Sequence, residues 1–225
     1  KLPDDELKEI SSKLINYFLA SLTIPEKDLW VNLSPYEKDK IVPTELGQTE
    51  MGKDLLGEDY ILKQLVASLT YPETTTGKEF WDKVYSRIYE ILGTTKVPVN
   101  TFNKIWIMPD KAVVYEDNDR AVVGEARLKV MLEEDYLALD KNLQNAALKL
   151  NTVSENSAKD VNKVSSQIMK EKVLPIIEEE VNSGENFAYL RQIYYSLVLA
   201  TWFKKRLKES VVAKVYADKK KLAGV

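Results

Sequence analysis

The chain of 225 residues contains no cysteine and no histidine. The first absence excludes disulfides, thiolate nucleophiles and thiolate metal sites. The second removes Ser-His-Asp triads, histidine-based zinc-peptidase motifs and the usual general base near neutral pH. Glycine numbers only eight residues, and none of them forms a phosphate-binding loop, a dinucleotide fingerprint or a nucleophile elbow. An excess of positive charge is also missing: 32 Lys and Arg against 35 Asp and Glu leave a formal net charge of −3, which disfavours a nucleic-acid partner. No apolar run reaches the roughly 20 residues that a membrane-spanning helix needs. The longest, Ile193 to Phe203, follows Arg191 and Gln192 and runs into Lys204, Lys205 and Arg206, so it reads as a buried core helix with no membrane-spanning role. No signal peptide is visible at Lys1, and the absence of an initial Met points to a processed or trimmed piece of a longer protein.

Hydrophobic residues make up 44% of the chain and charged ones 30%, the balance of a globular protein that folds without a metal or a partner. Apolar residues at Leu7, Ile10, Leu14, Phe18 and Leu22 predict a helix over 5–22 with that stripe inward. A second helix is expected over 45–69, with Met51, Leu55, Leu62, Leu65 and Leu69 inside and a bend or late start caused by Gly47, Gly52 and Gly57. A third spans 77–92, has Trp81, Val84, Ile88 and Ile91 inward, and ends at Gly93. The period then shortens towards two. Residues 102–108, 112–116 and 121–132 predict three antiparallel strands, with turns at Met108 to Lys111 and Asp117 to Asp119. Within the third, the apolar positions change parity at Gly124, which predicts a β-bulge there.

The polar stretch 140–158 reads as a connection. Beyond it a long helix is expected with a kink or restart at Pro175 and a stop at Asn182, Ser183 and Gly184. Asn186 is the expected cap of a final helix from Phe187 to about Glu209, and Val211 to Tyr216 reads as either further helix or a strand.

Candidate chemistry is thin. Glu133, Glu134 and Asp135 close the third strand, and neighbouring carboxylates can shift one another's pKa or hold a hard cation. An exposed strand end explains them better, since charged runs ordinarily mark solvated faces. Asp117, Asn118 and Asp119 open like a calcium loop, but Ala121 and Val122 stand where further ligands and a glycine are needed, so a hairpin turn is the better reading. Glu178, Glu179 and Glu180 lie within reach of Lys170 and Lys172 for ordinary ion pairing. The aromatic residues, Trp30, Trp106 and Trp202 among them, suit core packing, with a glycan or peptide platform as the alternative. Adjacent Tyr194 and Tyr195 cannot face the same way, so one must send its hydroxyl to a polar partner or to solvent.

Four stretches, WVNLSPYEKDKIVP (30–43), TFNKIWIMPDKAVVYE (101–116), LKVMLEEDYLAL (128–139) and NFAYLRQIYYSLVLATWFKK (186–205), carry a resemblance. The chain resembles a conserved module of very large, uncharacterised bacterial proteins. The resemblance implies one module of a longer, exported or cell-surface polypeptide and a connection after Asp140 that tolerates variable length. It brings no established activity and no functional residue.

The reading that results is an α+β fold, predominantly helical with five to six helices and a three-stranded antiparallel meander. Its parts are a helical layer with the meander over 1–139, the connection 140–158, and a C-terminal helical pair over 159–225 packed on the first part as one domain. The expected function is that of a non-enzymatic structural or protein-interaction module without cofactor or metal, with Trp30 and Tyr36 on the partner surface. A carboxylate-dependent hydrolase or metal-binding domain using Glu133, Glu134 or Asp135 is the alternative, and a glycan- or peptide-binding module a further one.

Overall fold

The computed structural model describes residues 3–24, 47–95, 105–117, 120–138 and 157–222. Among the described residues three helices come first: α1 (Asp4–Thr23), α2 (Glu50–Leu69) and α3 (Thr75–Leu92). The late start of α2 follows from its cap, because the Thr49 side chain accepts from the Gly52 N–H at 3.1 Å. Thr74 caps α3 in the same way through the Gly77 N–H at 3.0 Å. Gly93 ends α3 in the left-handed region at φ 65°, which a side chain would oppose.

The sheet corrects the expected meander. Among the described residues it has two strands, β1 (Ile105–Asp117) and β2 (Arg120–Leu132), paired antiparallel from Ile105 opposite Leu132 to Asp117 opposite Arg120. The Pro109-Asp110 pair, read as a turn, is instead a bulge: Pro109 faces Leu128 and Lys111 faces Arg127, leaving Asp110 as the extra residue. A bulge absorbs a proline that has no N–H to donate without reversing the chain. The second register shift does fall at Gly124, between Val123 and Glu125. The buried end of the ribbon is Ile105 to Ile107 and Leu128 to Leu132, whereas the half towards Asp117 and Arg120 has no buried residue. Asn118 and Asp119 of the expected hairpin turn lie outside the described residues.

The C-terminal part contains α4 (Ser157–Ile168), a π-helical turn (Met169–Val173), α5 (Leu174–Ser183), a 3-10 turn (Glu185–Phe187) and α6 (Ala188–Leu222). Pro175 stands in the first turn of α5. It has no N–H to donate there and would crowd the preceding turn, and the wider π turn just upstream accommodates it. At 35 residues, α6 is about 52 Å long and continues through Val211 as helix. It packs against α1, α2, α5 and both strands. One core gathers Tyr17, Met51, Phe80, Ile107, Leu128, Val173, Phe187 and Ile193 from both sides of the connection.

In α1 the inward stripe is not the expected one. Tyr17 and Ser21 are buried, whereas Leu7 and Leu14 are exposed. At about 100° per residue, Leu7, Leu14, Phe18 and Leu22 lie about 60–140° around the helix from Tyr17. Polar anchors fix this rotation, as the site geometry shows.

Candidate interaction surface

The acidic triplet follows β2 in a helical turn at residues 133–138. Lys170, in the π turn, places its Nζ 2.8 Å from both Glu134 Oε1 and Asp135 Oδ1. Burial lowers the affinity of that ammonium for its proton, but the hydrogen bonds to Asp135 and Glu134 outweigh it and hold the Lys170 pKa above its ordinary value. Both acids are about half-exposed. The same turn stacks Tyr136 on the buried Trp106, ring centres 3.8 Å apart and planes 9° from parallel, with Met131 alongside. Its acids tether it to the π turn while its aromatic ring covers the back of the ribbon. Among the described residues no group of three or more acids converges as a cation site. Trp30 and Tyr36 lie outside the described residues.

Both edges of the ribbon are held by helices. On the β2 side, the Asn182 amide accepts from the Leu128 N–H at 2.9 Å and donates to the Leu128 carbonyl at 2.8 Å, doing what a neighbouring strand would do. Glu178 accepts from the Val130 N–H at 3.4 Å and pairs with Arg127. This corrects the expected pairing of the glutamate run, since Lys170 is engaged by Glu134 and Asp135. On the β1 side, the buried Tyr194 donates its hydroxyl to the Lys111 carbonyl at 2.9 Å, while Tyr195 is partly exposed. Trp202 and Arg206 donate to Glu116, and Arg206 foremost holds that carboxyl below its ordinary pKa. An open groove of about 690 Å³ runs between β2 and α5, but Arg127 and Lys170 on its walls are already paired.

A polar cluster at the junction of α1, α2 and α6 was not legible as a site. Tyr17 donates to Asp54, whose carboxylate also takes Lys13 at 3.1 Å. Lys13 in turn lies 3.7 Å from the centre of the Tyr189 ring. Burial first, then the bond to Asp54, pushes the Tyr17 hydroxyl above its ordinary pKa. Beside them Glu58 is 1% exposed and accepts from the Leu190 N–H at 3.3 Å, so it caps the first turn of α6 from a distant helix. Asn186, expected in that role, gives its amide to Glu180. Burial drives the Glu58 carboxyl up to about 7, against the opposing Leu190 bond and Arg191 charge, and its second oxygen has no hydrogen-bond partner among the described residues. The signal was present in the spacing: Glu58 shares the stripe of Met51, Leu55 and Leu62.

These anchors, with Asn16 to Glu50 at 3.0 Å and Lys204 on the Ser21 carbonyl at 3.1 Å, turn the polar side of α1 inward. Its apolar flank is left open. Leu7, Ile15 and Leu19 are 52%, 58% and 54% exposed, with Leu14 beside them. Phe18 meets Phe203 of α6 edge to face at 6.0 Å and joins this flank to Leu207 and Val211, which are also more than half exposed. The result is an apolar strip across two parallel helices, rimmed by charge. Comparison with known proteins found no matching family model, no similar curated protein and no similar solved structure.

Proposed function

We propose that the chain is a non-enzymatic protein-interaction module of a larger protein, and that the α1/α6 strip is its partner face. The carrying observation is the rotation of α1: four hydrogen-bonding or ionic anchors would be needless to hold a helix whose leucines pointed inward, yet here polar groups face the core and Leu7, Ile15 and Leu19 face out. Contiguous apolar surface rimmed by polar groups is the ordinary mark of a partner site. Aspartate at Ile15 or Leu19 is therefore expected to leave the far-ultraviolet circular dichroism and melting temperature of the chain unchanged. Unfolding of both variants would show that the strip is covered within the chain and would remove the proposal.

The acidic triplet supports the same reading, because the Lys170 bridge gives Glu134 and Asp135 a tethering role. Calcium, magnesium and manganese should each leave the melting temperature where it is. A concentration-dependent rise with any of them would instead favour a metal-binding domain.

A further inference from the structure

We infer that the junction of α1, α2 and α6 is a proton-operated clamp: α1 is docked while Glu58 carries its proton, and loss of that proton releases α1 from α2 and α6. The clamp is independent of any partner on the strip and follows from how α1 is held. Of the twenty residues of α1 only Tyr17 and Ser21 are buried, so apolar burial contributes little to its docking. Its hold is polar instead. Tyr17 and Lys13 both end on Asp54, Asn16 donates to Glu50, and Lys204 reaches the Ser21 carbonyl. An element fastened by so few buried groups opens at lower free energy than the core beneath it.

Glu58 stands one helical turn beyond Asp54 on α2 and is 1% exposed. One carboxyl oxygen accepts from the Leu190 N–H at 3.3 Å, and the other has no hydrogen-bond partner among the described residues. A buried oxygen in that position is tolerated far better on a neutral carboxyl than on a carboxylate. The charges around it are already engaged. From α1, Lys13 is held by Asp54 at 3.1 Å, and the Tyr17 hydroxyl donates to the same carboxylate. From α6, Arg191 donates to the Val181 carbonyl at 2.9 Å, while the Tyr189 ring lies 3.7 Å from the Lys13 ammonium. On α2 itself Asp54 adds a like charge, and the neighbouring Asp59 is paired with Lys63 at 2.6 Å. Helix α3 brings only the buried apolar side chains of Phe80, Val84 and Ile88 to the core. A carboxylate at Glu58 therefore takes Lys13 from Asp54 or admits water between α1 and α2. Either change undoes the bonds of Asp54, and both of those bonds belong to α1. Burial raises the Glu58 carboxyl to about 7, so the docked chain keeps a proton that the released chain gives up, and docking is lost as pH rises through that value.

The test is hydrogen exchange of the intact chain, read by mass spectrometry at pH 6, 7 and 8 with labelling times scaled to the intrinsic exchange rate. Between pH 6 and 8 the α1 peptides should lose protection about tenfold, the ratio of ionised to neutral carboxyl one pH unit above 7, while β1 and β2 keep most of theirs. Glu58→Gln, neutral at every pH, should hold α1 at its pH 6 protection throughout. The chain has no histidine to titrate over this range. The carboxyl carbon resonance of Glu58 in the labelled wild type should therefore share its midpoint with the exchange of α1, which decides the matter even if Glu58→Gln does not fold. Constant protection of α1, a loss shared equally by α1 and the strands, a pH step retained in Glu58→Gln, or a Glu58 midpoint near the ordinary 4.5 would each overturn the clamp.

Discussion

Glu58 combines two demands that conflict. Its carboxyl must reach the N-terminal turn of α6, where a negative charge is favoured, but the position is 1% exposed and desolvation opposes ionisation. Lys13, Asp54 and Arg191 all act on it, and burial dominates. Between pH 4.5, the ordinary value, and about 7 the folded chain keeps a proton that the unfolded chain has released. The stabilisation from this neutral carboxyl is therefore complete below about 4.5 and is lost as pH rises through 7, a change on the order of 3 kcal/mol. Glu58→Gln keeps an acceptor for Leu190 without the charge. Urea denaturation from pH 5 to 8 should show the wild type losing stability relative to Glu58→Gln as pH rises; parallel profiles would mean that Glu58 ionises freely in the fold.

At the scale of elements, the ribbon is the least self-sufficient part, because two strands alone are marginally stable and leave two open edges. Asn182 closes one of them at Leu128 with a donor and an acceptor from a single side chain. Asn182→Ala should cost about 2 kcal/mol in chemical denaturation, by leaving a buried N–H and C=O unpaired, and Asn182→Asp, which retains the acceptor, about half of that. Equal stability of Asn182→Ala and wild type would show that water replaces the amide. Gly93→Ala should cost about 1 kcal/mol by the same measurement, since φ 65° is strained for any residue with a Cβ. Caps, terminators and bulges of this kind were readable from sequence at Gly93, Gly184 and Gly124, because each depends on local backbone chemistry. The partners of Glu178 and Asn182 were not, since β2 and α5 are separated by the connection and meet only in the folded chain.

For the molecule as a whole, charge sorts by position more than by sum. A net of −3 says little, but three acids open α1 and four bases stand between 204 and 208 of α6, the first of them on the Ser21 carbonyl of α1. The ion pairs on the ribbon and the Lys170 bridge hold elements in place. Sequence reading assigned the apolar stripe of α1 to the interior because periodicity reports that a helix has an apolar side, not which way that side faces. It likewise missed Tyr17, Asp54 and Glu58, whose pairing crosses three helices.

Helix limits at Thr23, Leu92 and Ser183, the buried run around Ile193 and the bulge at Gly124 were determined by the sequence alone. They depend on interactions within a few residues: propensity, capping, and the period of apolar positions. Tertiary structure decided that Ile105–Asp117 is one bulged strand, that α1 turns Tyr17 inward, and that Glu58 caps α6. Each of these depends on pairing with another element, and only the assembled chain brings the partners together.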